Sequence, residues 1–248
     1  MNRIVFMILF FALNLCLTLD VLSQGLLSNA HKGKLLYENT LSSRDEMKDW
    51  KLEGPAIIEY NDDWMHMDSP NEEGHHVFWC PEDFPSDFIA EWELQNIEPD
   101  AGLCIVFFSA LGQNGKDIFD PSIKLRDGVF NNYTKSDIDC YHISYYANGK
   151  NNPAREAAHL RKNAGFHKVQ IGAQGIPPES TEVHKVILVK KDNHISMNID
   201  GRDIIDWVDD GEKYGPVLGG GKIGFRQMKW THFRYKNFKV FAIDNQKG

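Results

Sequence analysis

Cysteine is scarce in this 248-residue chain, which has four. Cys16 falls in an apolar N-terminal run, so Cys80, Cys104 and Cys140 are left for the rest. Three cysteines make no disulfide framework, and their spacing matches no zinc pattern. Cys104 and Cys140 lie in apolar strand-like runs, where buried thiols are the expected state. Past the N-terminus there is no apolar stretch of the roughly 18 residues that a membrane span needs. Positive charge is also short: 27 Lys and Arg face 35 Asp and Glu, a formal net charge of -8. Such a balance argues against a nucleic-acid partner, and any anionic ligand must be met by a local basic site. No linker rich in Ser, Gly or Pro, no block of like charge and no fixed-period repeat divides the chain, so a single domain is expected over 24–248. GGGK at 219–222 lacks phosphate-loop spacing and feeds a strand rather than a helix, which removes the one hint of a nucleotide site.

What is present begins with a leader. MNRIVFMILFFALNLCLTLDVLSQG has Arg3 as its positive start, an apolar run from Ile4 to Leu19, and Val21 and Ser23 at the small-residue positions before Gln24. That order is expected of a secretory signal peptide over 1–23, delivering a periplasmic or secreted protein without a membrane anchor. Cys16 as a lipidation site is disfavoured because Leu15 stands where a small residue is needed.

The remainder reads as short strands separated by turn clusters: KLLYENTL, AIIEY, HVFWC, FIAEWEL, GLCIVFFSA, CYHISYYA, EVHKVILVKK, HISMNID, KIGFRQM and FRYKNFKVFAI. Only SSRDEMKDW and 154–163 are expected as short helices. Many short strands with Asp-Asn and Asp-Gly turns, as in KKDNHISMNIDGRDIIDW, imply an all-β sandwich or jelly roll of antiparallel sheets. Two long connections, 112–135 and 147–181, carry apolar anchors such as Phe119, Phe130, Phe166 and Ile171, and are expected to pack as walls of a binding site.

The blocks GHHVFWCPEDFPSDFIAEWE, GLCIVFFSALGQNGKDIFDPS, DIDCYHISYYAN, LRKNAGF and YGPVLGGGKIGFRQMKWT together resemble the bacterial family typified by YesU, long called a domain of unknown function. The resemblance runs from about Leu35 to Val240. It implies a concanavalin A-like jelly roll whose concave sheet forms a saccharide groove. It also implies a setting of uronic-acid polysaccharide degradation, since the family includes a dehydratase acting on ulvan oligosaccharides. The expected partner is thus an oligosaccharide containing uronic acid.

Eliminating across C4 and C5 of a uronate needs a base for the C5 proton, donors for the carboxylate as charge builds there, and an acid for the oxygen leaving C4. His and Tyr suit the proton transfers, and Arg offers a planar bidentate clamp. In DIDCYHISYYANG strict alternation would put His142 and Tyr146 on one face and Tyr141 and Tyr145 on the other. In KIGFRQM, Arg226 alternates with Lys222 and Gly224, opposite Ile223 and Phe225, and a glycine in such a row would let a sugar approach the backbone. His142, Tyr146 and Arg226 are therefore the candidate catalytic set. His75, His76, Trp79, Arg161, Asn163 and Trp230 are candidate substrate contacts, with Arg161 and Asn163 expected on a loop and Trp79 and Trp230 read either as sugar platforms or as core.

His75 and His76 as a zinc pair lack convergent carboxylates, and no metal is assigned. Asp117 and Asp120 would either hold a structural calcium, common in this architecture by resemblance, or form turns. Two other functions stay open: a non-catalytic carbohydrate-binding protein, and a glycoside hydrolase using Glu91 and Glu93.

Overall fold

The computed structural model describes residues 26–149 and 154–244; the leader expected over 1–23 lies outside them. In chain order the strands are β1 (His31–Asn39), β2 (Lys51–Glu53), β3 (Ile57–Asn61), β4 (Trp64–Asp68), β5 (His75–Trp79), β6 (Phe88–Asn96), β7 (Ala101–Gly112) and β8 (Ile138–Gly149). They continue as β9 (His159–Asn163), β10 (His167–Ile171), β11 (Val183–Lys191), β12 (His194–Ile199), β13 (Arg202–Val208), β14 (Lys222–Met228) and β15 (His232–Asp244). One sheet runs β13-β12-β11-β6-β15-β4-β3, with β1 added along β15; the other runs β10-β9-β8-β7-β14-β5-β2. Every strand pairing in both is antiparallel.

The all-β sandwich expected from the strand pattern is thus present. Its turns have a local cause. Asp62-Asp63 and Asp200-Gly201 each place two consecutive residues at positive φ, the backbone that a two-residue hairpin turn requires. Side chains from both sheets meet in the main core, among them Met65, Trp92, Leu94 and Val186 from one and Phe78, Val106, Tyr141 and Phe225 from the other. Among the described residues no helix is long and apolar enough to cross a membrane.

The two long connections turn out differently. Residues 113–137 fold back over the outer face of the seven-stranded sheet, where Ile118, Ile123 and Tyr133 join Val77, Trp79, Ile105 and Phe107 in a second core. This is the packed wall that its apolar anchors implied. The stretch 147–181, by contrast, is no loop over a groove: it contains β9 and β10, a hairpin that extends the sheet beyond β8. Arg161 and Asn163 accordingly sit on a strand, and 154–163 is not a helix. The pattern hid because Leu160 is the only apolar residue of β9, while Lys162 enters the interior as an ion, paired with Asp209 at 2.7 Å. SSRDEMKDW likewise forms turns.

Candidate functional site

The outer face of the seven-stranded sheet is assembled by register. Directly opposed residues run Trp79, Gly224, Phe107, His142, Arg161 across five strands, and the next row runs Val77, Arg226, Ile105, Ser144, His159. Partners across antiparallel strands share a face, so residues distant in sequence are brought together here. His75, two residues before Val77, lies on the same side of β5.

Arg226 is fully buried, with its guanidinium carbon 4.9 Å from the Phe130 ring centre and 5.0 Å from that of Tyr133. Nη2 donates to the Gly128 carbonyl at 2.8 Å, whereas Nε and Nη1 have no partner. Gly128 itself packs against β5: its φ is 92°, and a Cβ there would lie 1.9 Å from the His75 carbonyl oxygen. Glu53 is the carboxylate whose charge bears on Arg226, but its oxygens are engaged by Arg126 at 2.6 Å and by the Trp79 indole at 2.9 Å. Burial lowers the Arg226 pKa to about 10, which still leaves it charged near neutrality.

His142 is 1% exposed and enclosed by the rings of Phe107, Phe130 and Phe166, at 5.2, 5.8 and 5.9 Å between centres. Its Nδ1 lies 2.8 Å from Asn163 Nδ2. Burial, followed by the charges of Arg161, Arg226 and Arg155, holds its pKa well below the ordinary histidine value. His159 is pushed down to about 4 by burial and by Arg155, Lys168 and Arg161, and His75 is lowered by burial and by Arg226. Neutral imidazoles thus lie beside arginines, and two nitrogens of a buried guanidinium have no acceptor.

Several expected residues are elsewhere. Tyr146 does not share the face of His142, because a register shift opposite Cys104 and Ile105 turns Tyr145 and Tyr146 both toward the main core. There the Tyr146 hydroxyl donates to the Pro99 carbonyl at 2.9 Å, with the Pro178 carbonyl 3.2 Å away. His76 points to the core side, where Nδ1 meets Ser69 Oγ at 3.1 Å and burial drops its pKa to about 3. Trp79 is on the outer face but fully covered, stacked with Tyr133. Gly224 makes room for that indole rather than for a sugar, since a Cβ would lie 2.4 Å from the ring. Lys222 is buried between Asp83 and Asp117, 3.1 Å from each. Trp230 is half-buried in the turn between β14 and β15. Arg161 does lie beside His142, with Nη1 donating to the Phe166 carbonyl and its guanidinium 3.8 Å from that ring centre.

Asp117 and Asp120 make turns. Asp117 accepts from the Phe119 amide and faces the Lys222 ammonium, and Asp120 accepts from the Ser122 amide. Among the described residues no three His, Cys, Asp or Glu are grouped to hold a metal. Glu91 and Glu93 occupy the opposite sheet: Glu91 is bound by Lys32 at 2.6 Å and Glu93 by Lys236 at 3.4 Å. Burial would raise the Glu91 carboxyl, but Lys32 and Lys185 hold it below its ordinary value.

Sequence reasoning missed Arg155, Ser144 and His159. Arg155 donates to Ser144 Oγ and reaches His159 Nδ1 at 3.3 Å. The signal was available in part, since Ser144 follows His142 by two and His159 precedes Arg161 by two.

Residues 34–240 match the family model described as Domain of unknown function (DUF1961). The chain belongs to that family. It is 40% identical over 215 residues to the uncharacterized protein YesU of Bacillus subtilis (strain 168), covering 84% of this chain and 96% of the relative. A B. subtilis protein of unknown function with a galectin-like fold superposes with a TM-score of 0.81 at 38% identity, over 86% of this chain and 98% of that one. At 11% identity the carbohydrate binding module CBM66 of B. subtilis, with a TM-score of 0.52 over 78% and 96% of the two chains, shares the fold alone.

Proposed function

We propose that this protein is a carbohydrate-active lyase that eliminates water, or a sugar, across C4 and C5 of a uronic acid in ulvan-type oligosaccharides. The observation that carries the proposal is Arg226, a fully buried guanidinium with Nε and Nη1 unpaired, one row away from the neutral imidazole of His142. Nε–H and the Nη1 hydrogens point to different sides of the guanidinium, so each can give an anionic sugar one charge-assisted hydrogen bond, and negative charge grows on the uronate carboxylate when the C5 proton leaves. The C5–H electron pair becomes the C4=C5 double bond, the C4–O bond breaks, and the departing oxygen takes up a proton. Of the imidazoles of His75, His142 and His159, all kept neutral beside the arginines, one accepts the C5 proton and, as the imidazolium so formed, gives a proton to the departing oxygen. Phe130 and Phe166, whose rings meet at 5.3 Å against His142, must part to admit the sugar.

The second reading is a carbohydrate-binding protein, favoured by the fold it shares with a carbohydrate binding module. Mixing the protein with uronate oligosaccharides separates the two. Ultraviolet absorbance of an unsaturated uronate, with mass loss of one water or chain cleavage, is expected. Saturable binding without new absorbance would establish the binding protein instead.

A further inference from the structure

A buried histidine can serve as a proton acceptor or as a hydrogen-bond donor toward a ligand, and its second nitrogen decides which. His142 Nδ1 faces the side-chain amide of Asn163, itself 2% exposed, and the same Nδ2 reaches Cys140 Sγ at 3.4 Å. Two features fix which end of that amide points at the ring. Cys140 stays a thiol, its pKa raised by burial to about 12, and its proton is directed at the Tyr133 carbonyl, 3.7 Å away. Its sulfur therefore offers a lone pair toward Asn163 rather than a hydrogen. Turning the amide round would also leave both of its N–H bonds unpaired in place of one oxygen, Oδ1, and buried orphan donors are rarer than under-satisfied carbonyls.

We infer that Asn163 is a positioning residue: by donating Nδ2–H to His142 Nδ1 it fixes the proton on Nε2, so that His142 meets its ligand as a neutral hydrogen-bond donor. In the elimination this makes His142 a partner of Arg226 in holding the developing charge, and the C5 proton passes to another imidazole of the same face. His75 meets that requirement, since its Nδ1 is buried without a partner and lies beside the Arg226 charge. The tautomer stands on geometry alone; only its use in catalysis rests on the proposed function.

The test is long-range ¹⁵N–¹H correlation of the imidazoles in labelled, substrate-free protein at neutral pH, with His142 assigned by loss of its signals in His142→Gln. A protonated Nε2 and an unprotonated Nδ1 are expected. Asn163→Leu should give a mixture of tautomers, and Asn163→Asp, whose carboxylate can only accept, should move the proton to Nδ1. A wild-type proton on Nδ1, or an unchanged tautomer in Asn163→Leu, would overturn the inference. If neither variant folds, the wild-type spectrum decides. Because no substrate is present, the outcome is independent of whether the lyase proposal holds. Where turnover is found, Asn163→Asp should lower kcat by about 10²- to 10⁴-fold with a smaller change in KM, as expected when a tautomer-holding partner is lost.

Discussion

At the scale of single residues, position on a strand proved a weaker guide than what each atom is bonded to. Tyr146 and His142 are four apart, yet one extra residue in the ladder sends Tyr146 to the core. Tyr146→Phe is therefore expected to keep full turnover while losing about 1 kcal/mol of stability, the usual contribution of such a hydroxyl; chemical denaturation alongside the lyase assay checks both. His142→Ala is expected to lower turnover by about 10²- to 10⁴-fold without unfolding the protein. His76 makes a separate contribution through pH. Its folded pKa of about 3 lies below the unfolded value of 6.5, so unfolded chains bind the extra proton between these limits. Its stabilisation is complete above pH 6.5 and falls, by up to about 1.4 kcal/mol per pH unit, as the pH drops toward 3. Urea midpoints measured across that window should fall less steeply in His76→Gln than in the wild type.

At the scale of elements, strands with regular apolar alternation were legible and strands stabilised by buried ions were not. β14 reads correctly because Ile223 and Phe225 alternate with Arg226, and the main core takes the apolar face as expected. β9 lacks that signal because Lys162, whose ammonium binds Asp209, occupies an interior position that an apolar residue would have announced. The Tyr141 hydroxyl donates to the same Asp209 oxygen at 2.5 Å, which ties β8 to the segment after β13. Tyr141→Ala removes both that bond and a fully buried ring, and is expected to cost about 3–5 kcal/mol, seen as a large drop in thermal midpoint. Segment 113–137 was legible as a wall from Phe119 and Phe130. Its closeness to Arg226 was not, since nothing local in the sequence says which face of which sheet a loop will cover.

At the scale of the whole molecule, an acidic chain of net charge -8 keeps a cluster of arginines and neutral histidines on one sheet, while Glu91 and Glu93 on the other are each paired with a lysine. The fold class, and the placing of His142 and Arg226 on the polar faces of their strands, could be anticipated from strand periodicity and the family-like blocks. The roles of Arg155, Ser144 and Asn163 needed the register of β8 against β9, which is a property of the folded sheet. A buried guanidinium with two unpartnered nitrogens is a cost to stability that function can explain. Turnover and thermal unfolding of Arg226→Gln, measured on the same preparation, test this most directly. If Arg226 serves the ligand, the variant should unfold at the wild-type temperature or above while turnover falls by about 10²- to 10³-fold. Wild-type turnover, or collapse of the fold, would show that Arg226 is scaffold and that the site lies elsewhere.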